Sequence, residues 1–154
     1  MSNILITGGS GLVGTALSNL LAEQGHLVKH LSRTRNLSAA IPAYEWNLNE
    51  GTADDEAFHG VDYIFHLAGA NISDGKWTND RKKIITDSRV KSGELLAKKV
   101  KDLNIPLKAF IAASATGYYG SLTSEKIFNE TDSAADDFLG TVCRKWEDSS
   151  LKFQ

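Results

Sequence analysis

Residues 3–14 read Asn-Ile-Leu-Ile-Thr-Gly-Gly-Ser-Gly-Leu-Val-Gly. The short β-branched run NILIT (3–7) stops at a glycine cluster. Leu12, Val13, Ala16, Leu17, Leu20 and Leu21 then recur at helical spacing until Gly25, a C-cap residue. A strand that turns tightly into a helix aims backbone N–H groups and the positive helix terminus at one point, which suits a pyrophosphate. Gly8, Gly11 and Gly14 have the spacing G-x-x-G-x-x-G, preceded by Thr7. Gly9, Gly11 and Gly14 also spell G-x-G-x-x-G, so the string fits two loop variants. Thr7, Leu12 and Val13 complete this candidate cofactor-binding stretch.

Outward from this unit the chain keeps alternating. LVKHLS (27–32) predicts a second strand, YEW (44–46) a short third, and DDEAFHG (54–60) a short helix closed by Gly60. VDYIFHLAG (61–69) is apolar nearly throughout, as a buried parallel strand is. Residues 79–103 place Ile84, Ile85, Leu95, Leu96, Val100 and Leu103 on one face of a long amphipathic helix. LKAFIAAS (107–114) predicts a fifth strand and 136–151 a further helix. Alternation of this kind predicts an α/β fold with a doubly wound parallel sheet, a Rossmann-type domain over 1–154. The irregular stretches 69–79 and 115–135 each follow the carboxyl end of a strand, the edge where such sheets bind ligands.

Composition narrows the function classes. Lys and Arg (17) nearly balance Asp and Glu (19), which gives no global electrostatic reason to bind nucleic acid or an anionic membrane. The single cysteine, Cys143, excludes an internal disulfide and any multi-cysteine metal cluster. The histidines show no metal-ligand spacing, and no metal is expected. His66, ending a buried strand, is expected to be a satisfied core histidine rather than a base. No apolar run approaches a membrane span, so a soluble, cytoplasmic protein is the expectation.

At the end of the second strand NAD would call for a carboxylate to bond the adenosine ribose. Ser32-Arg33-Thr34-Arg35 stands there instead, and no Asp or Glu falls between Glu23 and Glu45. The planar fork of an arginine matches a 2′-phosphate, so NADP(H) is preferred over NAD(H). Arg33 is the first choice for this contact and Arg35 the second.

TGGSGLVG (7–14), HLAG (66–69) and SATGYYG (114–120) resemble the extended short-chain dehydrogenase/reductase superfamily. Ser32-Arg33, AGANI (68–72), Trp77 followed by Ser88-Arg89, GYYG (117–120) and Trp146-Glu147 are similar to its epimerase subfamily related to SDR39U1, the sugar-nucleotide-epimerase-like proteins. The likeness implies cofactor contacts from Gly8, Gly11 and Gly14 to the phosphates and from Ser32-Arg33 to the 2′-phosphate. It further implies that Leu67, Ala68 and Gly69 line the cofactor, that Arg89 reaches it from the long helix, and that Asn47 stands where many relatives carry an Asp near the adenine. It allows a homodimer through the helices at 79–103 and 136–151.

The superfamily's acid/base is a tyrosine with a lysine four residues on, because a free phenol titrates near 10 and needs a cation to lower it. Tyr44, Tyr63, Tyr118 and Tyr119 are followed four on by Leu48, Leu67, Leu122 and Thr123, so no pair exists. Aligned on Trp146-Glu147, Leu139 and Cys143 occupy the two positions. Ser114, Tyr118 and Tyr119 are the hydroxyls left as candidate catalytic groups. Two functions stand: an NADP(H)-dependent epimerase or oxidoreductase acting on a nucleotide sugar or other small polar substrate, and an NADP(H)-binding sensor or scaffold without turnover. Members of the family continue beyond this length, so the chain is expected to be the cofactor-binding half of a longer protein, without its C-terminal substrate-binding region.

Overall fold

The computed structural model describes residues 1–121, 123 and 125–153. Six strands, β1 (Asn3–Thr7), β2 (Leu27–Ser32), β3 (Ala43–Asn47), β4 (Thr52–Ala53), β5 (Tyr63–His66) and β6 (Ala109–Ala112), form one sheet ordered β4-β3-β2-β1-β5-β6. Every pairing is parallel except the short antiparallel β3–β4 ladder. The chain winds outward from β1 through β2 and β3, then returns to the other side of β1 for β5 and β6. This is the doubly wound arrangement, and its switch point lies between β1 and β5.

Alternation along the strands divides the core. Leu5, Leu31 and Ile64 point to one face and pack with Trp46, Phe58, Leu95 and Leu96. Ile4, Ile6 and Val28 point to the other, against Leu17 and Leu21 of α1 (Leu12–Glu23). The first face carries α2 (Asn79–Asp102), which in turn packs on α3 (Phe138–Ser150). Thr78 caps α2 by accepting the Arg81 N–H, and Asp137 caps α3 by accepting the Gly140 N–H.

The structure departs from the expected pattern at several elements, the short strand β4 among them. The helix expected over 54–60 contracts to one 3-10 turn, Asp55–Ala57. The strands expected over 61–69 and 107–114 are ordered as ladders only over Tyr63–His66 and Ala109–Ala112, because their ends leave the sheet to make loops. The final helix is Phe138–Ser150, followed by a 3-10 turn at Leu151–Phe153. In α1 the buried positions are Gly14 and Ser18, whereas Leu12, Val13 and Leu20 are exposed. Small side chains win the contact face because the helix crosses the backbone of its own glycine loop at close range.

Candidate functional site

Strand register lays out the carboxyl edge of the sheet. Thr7 is level with Leu31 on one side and His66 on the other, and His66 is level with Ala112. The residues just past this line are therefore Ser32, Gly8, Leu67 and Ala113. The glycine loop, the β2 end, the β5 end and the start of the 113–120 segment thus border one crevice.

Gly8 makes the turn. Its φ is +71°, and a Cβ there would sit 2.9 Å from Leu67 C and Ala68 N, so both the backbone angle and the neighbouring strand demand glycine. Gly14 is fixed by contact: an added Cβ would lie 2.2 Å from the Gly8 carbonyl oxygen. Gly11 closes the loop, its N–H donating to Gly8 O at 3.0 Å, and serves as N-cap of α1 without any side-chain cap. With no acidic residue in the first turn, the positive helix end is uncompensated by the protein. Leu12 and Val13 are 91% and 64% exposed beside it. An uncapped helix terminus, a glycine cradle and exposed apolar side chains together fit a dinucleotide pyrophosphate.

Thr7, expected to contact the cofactor, turns its side chain inward. Its side chain is buried, and Oγ1 accepts the Ala68 N–H (3.2 Å) while donating to His66 Nδ1 (2.7 Å). On the far side of that ring, His66 Nε2–H donates to Ser92 Oγ (2.9 Å), whose own proton goes to the Ser88 and Arg89 carbonyls. This relay satisfies both ring nitrogens of a neutral imidazole. Burial pushes His66 down to about 4; a backbone hydrogen bond involving Arg89 opposes the shift and the Arg89 charge adds to it. His66 is the satisfied core histidine its sequence position suggested.

Leu67, Ala68 and Gly69 form the second wall, held down by α2. The Ala70 N–H donates to Ser88 Oγ (3.0 Å), and Arg89 Nη1 donates to Ala70 O (3.1 Å) and Ile85 O (3.0 Å). The Arg89 guanidinium lies 5.0 Å from the Trp146 ring centroid and also packs on Gly69, where a Cβ would meet it at 3.1 Å. Arg89 therefore clamps the wall from behind. Trp77 is likewise tied into the 69–79 segment, its indole N–H donating to Ile72 O (2.7 Å) and its ring meeting Phe138 edge-on. Arg81 donates to Asn71 O and pairs with Asp74.

At the β2 end, Ser32 Oγ is occupied locally, donating to Thr34 O and accepting the Thr34 N–H. Arg35 pairs with Asp54 (2.8 Å) and Glu56 (3.0 Å) and lies over Tyr44. Arg33 is exposed and makes no ion pair among the described residues. The structure thus separates two arginines that the sequence left as first and second choice. Asn47 stands two residues beyond the Ser32–Glu45 pair, with Oδ1 accepting the N–H groups of Asn49 and Glu50. Its amide nitrogen is the group left to face a ligand.

The candidate catalytic hydroxyls lie past β6, on a cleft of about 450 Å³ lined by Ser114, Tyr118, Tyr119, Glu130 and Glu147. Ser114 Oγ donates to Glu147 Oε1 at 2.5 Å. Tyr119 donates its hydroxyl proton to Asn129 O (2.9 Å), and burial with nearby carboxylates raises its pKa further. Tyr118 packs edge-on against Tyr119. Leu139 and Cys143 face the same turn: a Cβ at Gly117 would lie 3.3 Å from Leu139 Cβ and 3.7 Å from Cys143 Sγ. Burial pushes the Cys143 thiol up, which suits a packing group. Sequence reasoning had Glu147 only as half of the Trp146-Glu147 pair; its partnership with Ser114 spans 33 residues and left no local signal.

The family model described as the NAD dependent epimerase/dehydratase family matches residues 4–140. An epimerase family protein of Mycobacterium leprae is 34% identical over 151 residues, covering 98% of this chain and 48% of the relative. Among solved structures, a nucleoside-diphosphate sugar epimerase of Corynebacterium glutamicum aligns with a TM-score of 0.79 at 32% identity, over 98% of this chain and 30% of that one. The human epimerase family protein SDR39U1, solved with NADPH, aligns with a TM-score of 0.76 at 31% identity, over 96% of this chain and 48% of that one. The chain spans about half the length of the curated relatives it matches. With a doubly wound sheet, a glycine cradle at its switch point and this match across nearly every described element, the chain belongs to the NAD dependent epimerase/dehydratase family, and it is similar to the SDR39U1 proteins within it.

Proposed function

We propose that this chain is the NADP(H)-binding domain of an epimerase or oxidoreductase acting on a nucleotide sugar or other small polar substrate. The observation that carries the cofactor preference is the contrast at the β2 end. Arg35 is consumed by Asp54 and Glu56, whereas exposed Arg33 stands beside the crevice where a carboxylate would select NAD. Gly8, Gly11 and Gly14 with the α1 terminus would hold the pyrophosphate, Leu12 and Val13 would cover it, and Leu67–Gly69 would line the nicotinamide half. Arg89 and Thr7 would act by fixing that lining, and the Asn47 amide would face the adenine. When bound, the cofactor supplies hydride acceptance and return.

The chain's own part in turnover would be to move a proton at the cleft past β6. Ser114 donates to the Glu147 carboxylate, which could take up its proton, whereas Tyr119 donates to the Asn129 carbonyl, which could not. Tyr118 remains the second hydroxyl on that cleft. Substrate selection would lie in the part of the relatives' length outside these residues. We place the protein in the cytoplasm, with pairing of two copies through α2 and α3. The test is titration with NADPH and NADH, followed by nicotinamide fluorescence. NADPH is expected to bind at least about tenfold more tightly, and Arg33→Ala to erase that margin. Equal affinities in the unaltered protein refute the assignment of Arg33.

A second reading is supported by Leu139 and Cys143 at the positions of the missing Tyr and Lys: binding of NADP(H) without turnover, as a sensor or scaffold. Incubating the full-length protein with NADP⁺ and nucleotide sugars separates the two. Neither reduced cofactor nor isomerised product, with binding intact, selects the second.

A further inference from the structure

We propose that His30 is the positioning residue of the pyrophosphate loop, and that the pair His30–Gly9 sets the loop geometry on which cofactor affinity depends. The inference rests on the reading that this loop binds a dinucleotide. His30 lies on β2, two residues before Ser32 and on the same face of that strand. Its ring is packed against the loop from beneath. A Cβ at residue 9 would fall 2.4 Å from His30 Cδ2 and Nε2 and 2.5 Å from Cε1, and these are the three nearest atoms. No other group excludes a side chain there so closely, and Gly9, unlike Gly8, does not have a positive φ. Gly9 is a glycine because of His30.

The ring is itself held in place. Ser18, fully buried in α1, donates its hydroxyl proton to Gly14 O (2.6 Å) and so accepts from His30 Nε2–H (2.8 Å). One hydroxyl thereby ties the β2 imidazole to the helix turn whose Gly14 presses on Gly8 and Gly9. From above, Thr15 Oγ1 donates to Gly9 O (3.2 Å). The Gly8–Gly9 backbone is thus gripped between α1 and the imidazole, and its N–H groups are aimed by that grip. The two loop variants the sequence allowed are also resolved. Gly8 provides the turn and Gly14 the helix contact, whereas Gly9 answers to a side chain on the neighbouring strand.

The test is a four-member cycle of the unaltered chain, Gly9→Ala, His30→Ala and the double variant, with His30→Gln as a conservative control that keeps an N–H for Ser18. Each is titrated with NADPH at a temperature where circular dichroism shows it folded, and amide exchange is followed over residues 8–12. Gly9→Ala is expected to weaken NADPH binding by about tenfold or more, because the new methyl displaces loop or ring. His30→Ala is expected to weaken it by a few-fold, with Gln recovering most of that loss. In the double variant the clash is gone, so its affinity is expected to match His30→Ala alone, a coupling of about tenfold. Losses that simply multiply, or a His30→Ala variant with unchanged affinity and loop protection, overturn the proposal. If the unaltered chain binds no NADPH, the proposed function fails. The exchange data then decide the pairing: coupled loss of protection upholds it and additive loss overturns it.

Discussion

Acidification should destabilise this protein through His66 before most of its carboxylates are protonated. The imidazole is fully buried and neutral, with Nδ1 accepting from Thr7 and Nε2–H donating to Ser92. Its pKa stands at about 4, against 6.5 for a free histidine. In the unfolded chain the ring takes up a proton as pH falls through the free value, whereas in the folded chain it does not until pH approaches 4. Its contribution is therefore complete above about pH 6.5, lost progressively between there and about pH 4, and gone below. At about 1.4 kcal/mol per pH unit the full effect is about 3 kcal/mol, a large part of a small domain's stability. Urea unfolding at about pH 7.5 and about pH 4.5 measures the loss, and His66→Gln is expected to be less stable at neutral pH but flatter with pH. His30 is lowered by burial in the same direction, so a His30→Gln control separates the two contributions. A His66 ring proton titrating near 6.5 in the folded protein, or an unchanged pH slope in His66→Gln, would refute the reasoning.

Two further outcomes follow from contacts at the crevice. Gly14→Ala drives a methyl to 2.2 Å from Gly8 O, and is expected to cost about 1–3 kcal/mol in urea unfolding and to abolish NADPH binding. Retained affinity would show that the loop yields freely. Arg89→Met keeps the stem but strips Ala70 O of its donor, for an expected loss of about 1–3 kcal/mol and weaker cofactor binding. A variant as stable as the original would remove Arg89 from the role of clamp.

The parts of the fold legible in the sequence are those written in local pattern. NILIT, the glycine spacing, LVKHLS and the apolar face of 79–103 each announce their element within one window. The 54–60 segment misled because its composition suits a helix, yet Gly60, at φ +69°, and Phe58 packed in the core leave room for one turn. At the site, the glycines and the missing Tyr-x-x-x-Lys pair could be read directly. Side-chain partnerships could not. That Arg35 is committed to Asp54 and Glu56, that Asn47 caps its own turn, and that Ser114 meets Glu147 depend on how distant segments meet. The inward partnership of Thr7 with His66 and Ala68 was equally hidden, since a strand-end hydroxyl looks the same in sequence whether it faces inward or outward.

Three successive attachments join α2 to the crevice wall: Arg81 on Asn71 O, Ser88 under the Ala70 N–H, and Arg89 on Ala70 O. A fourth, Ser92 on His66, reaches the buried relay beneath Ala68. The helix is thus a lever with its load arm on the crevice wall. Sliding or tilting it cannot leave residues 68–71 where they are without breaking hydrogen bonds over three turns. Any contact that favours one setting of α2 therefore favours one shape of the crevice, and by reciprocity a ligand seated in the crevice sets how α2 presents its outer face.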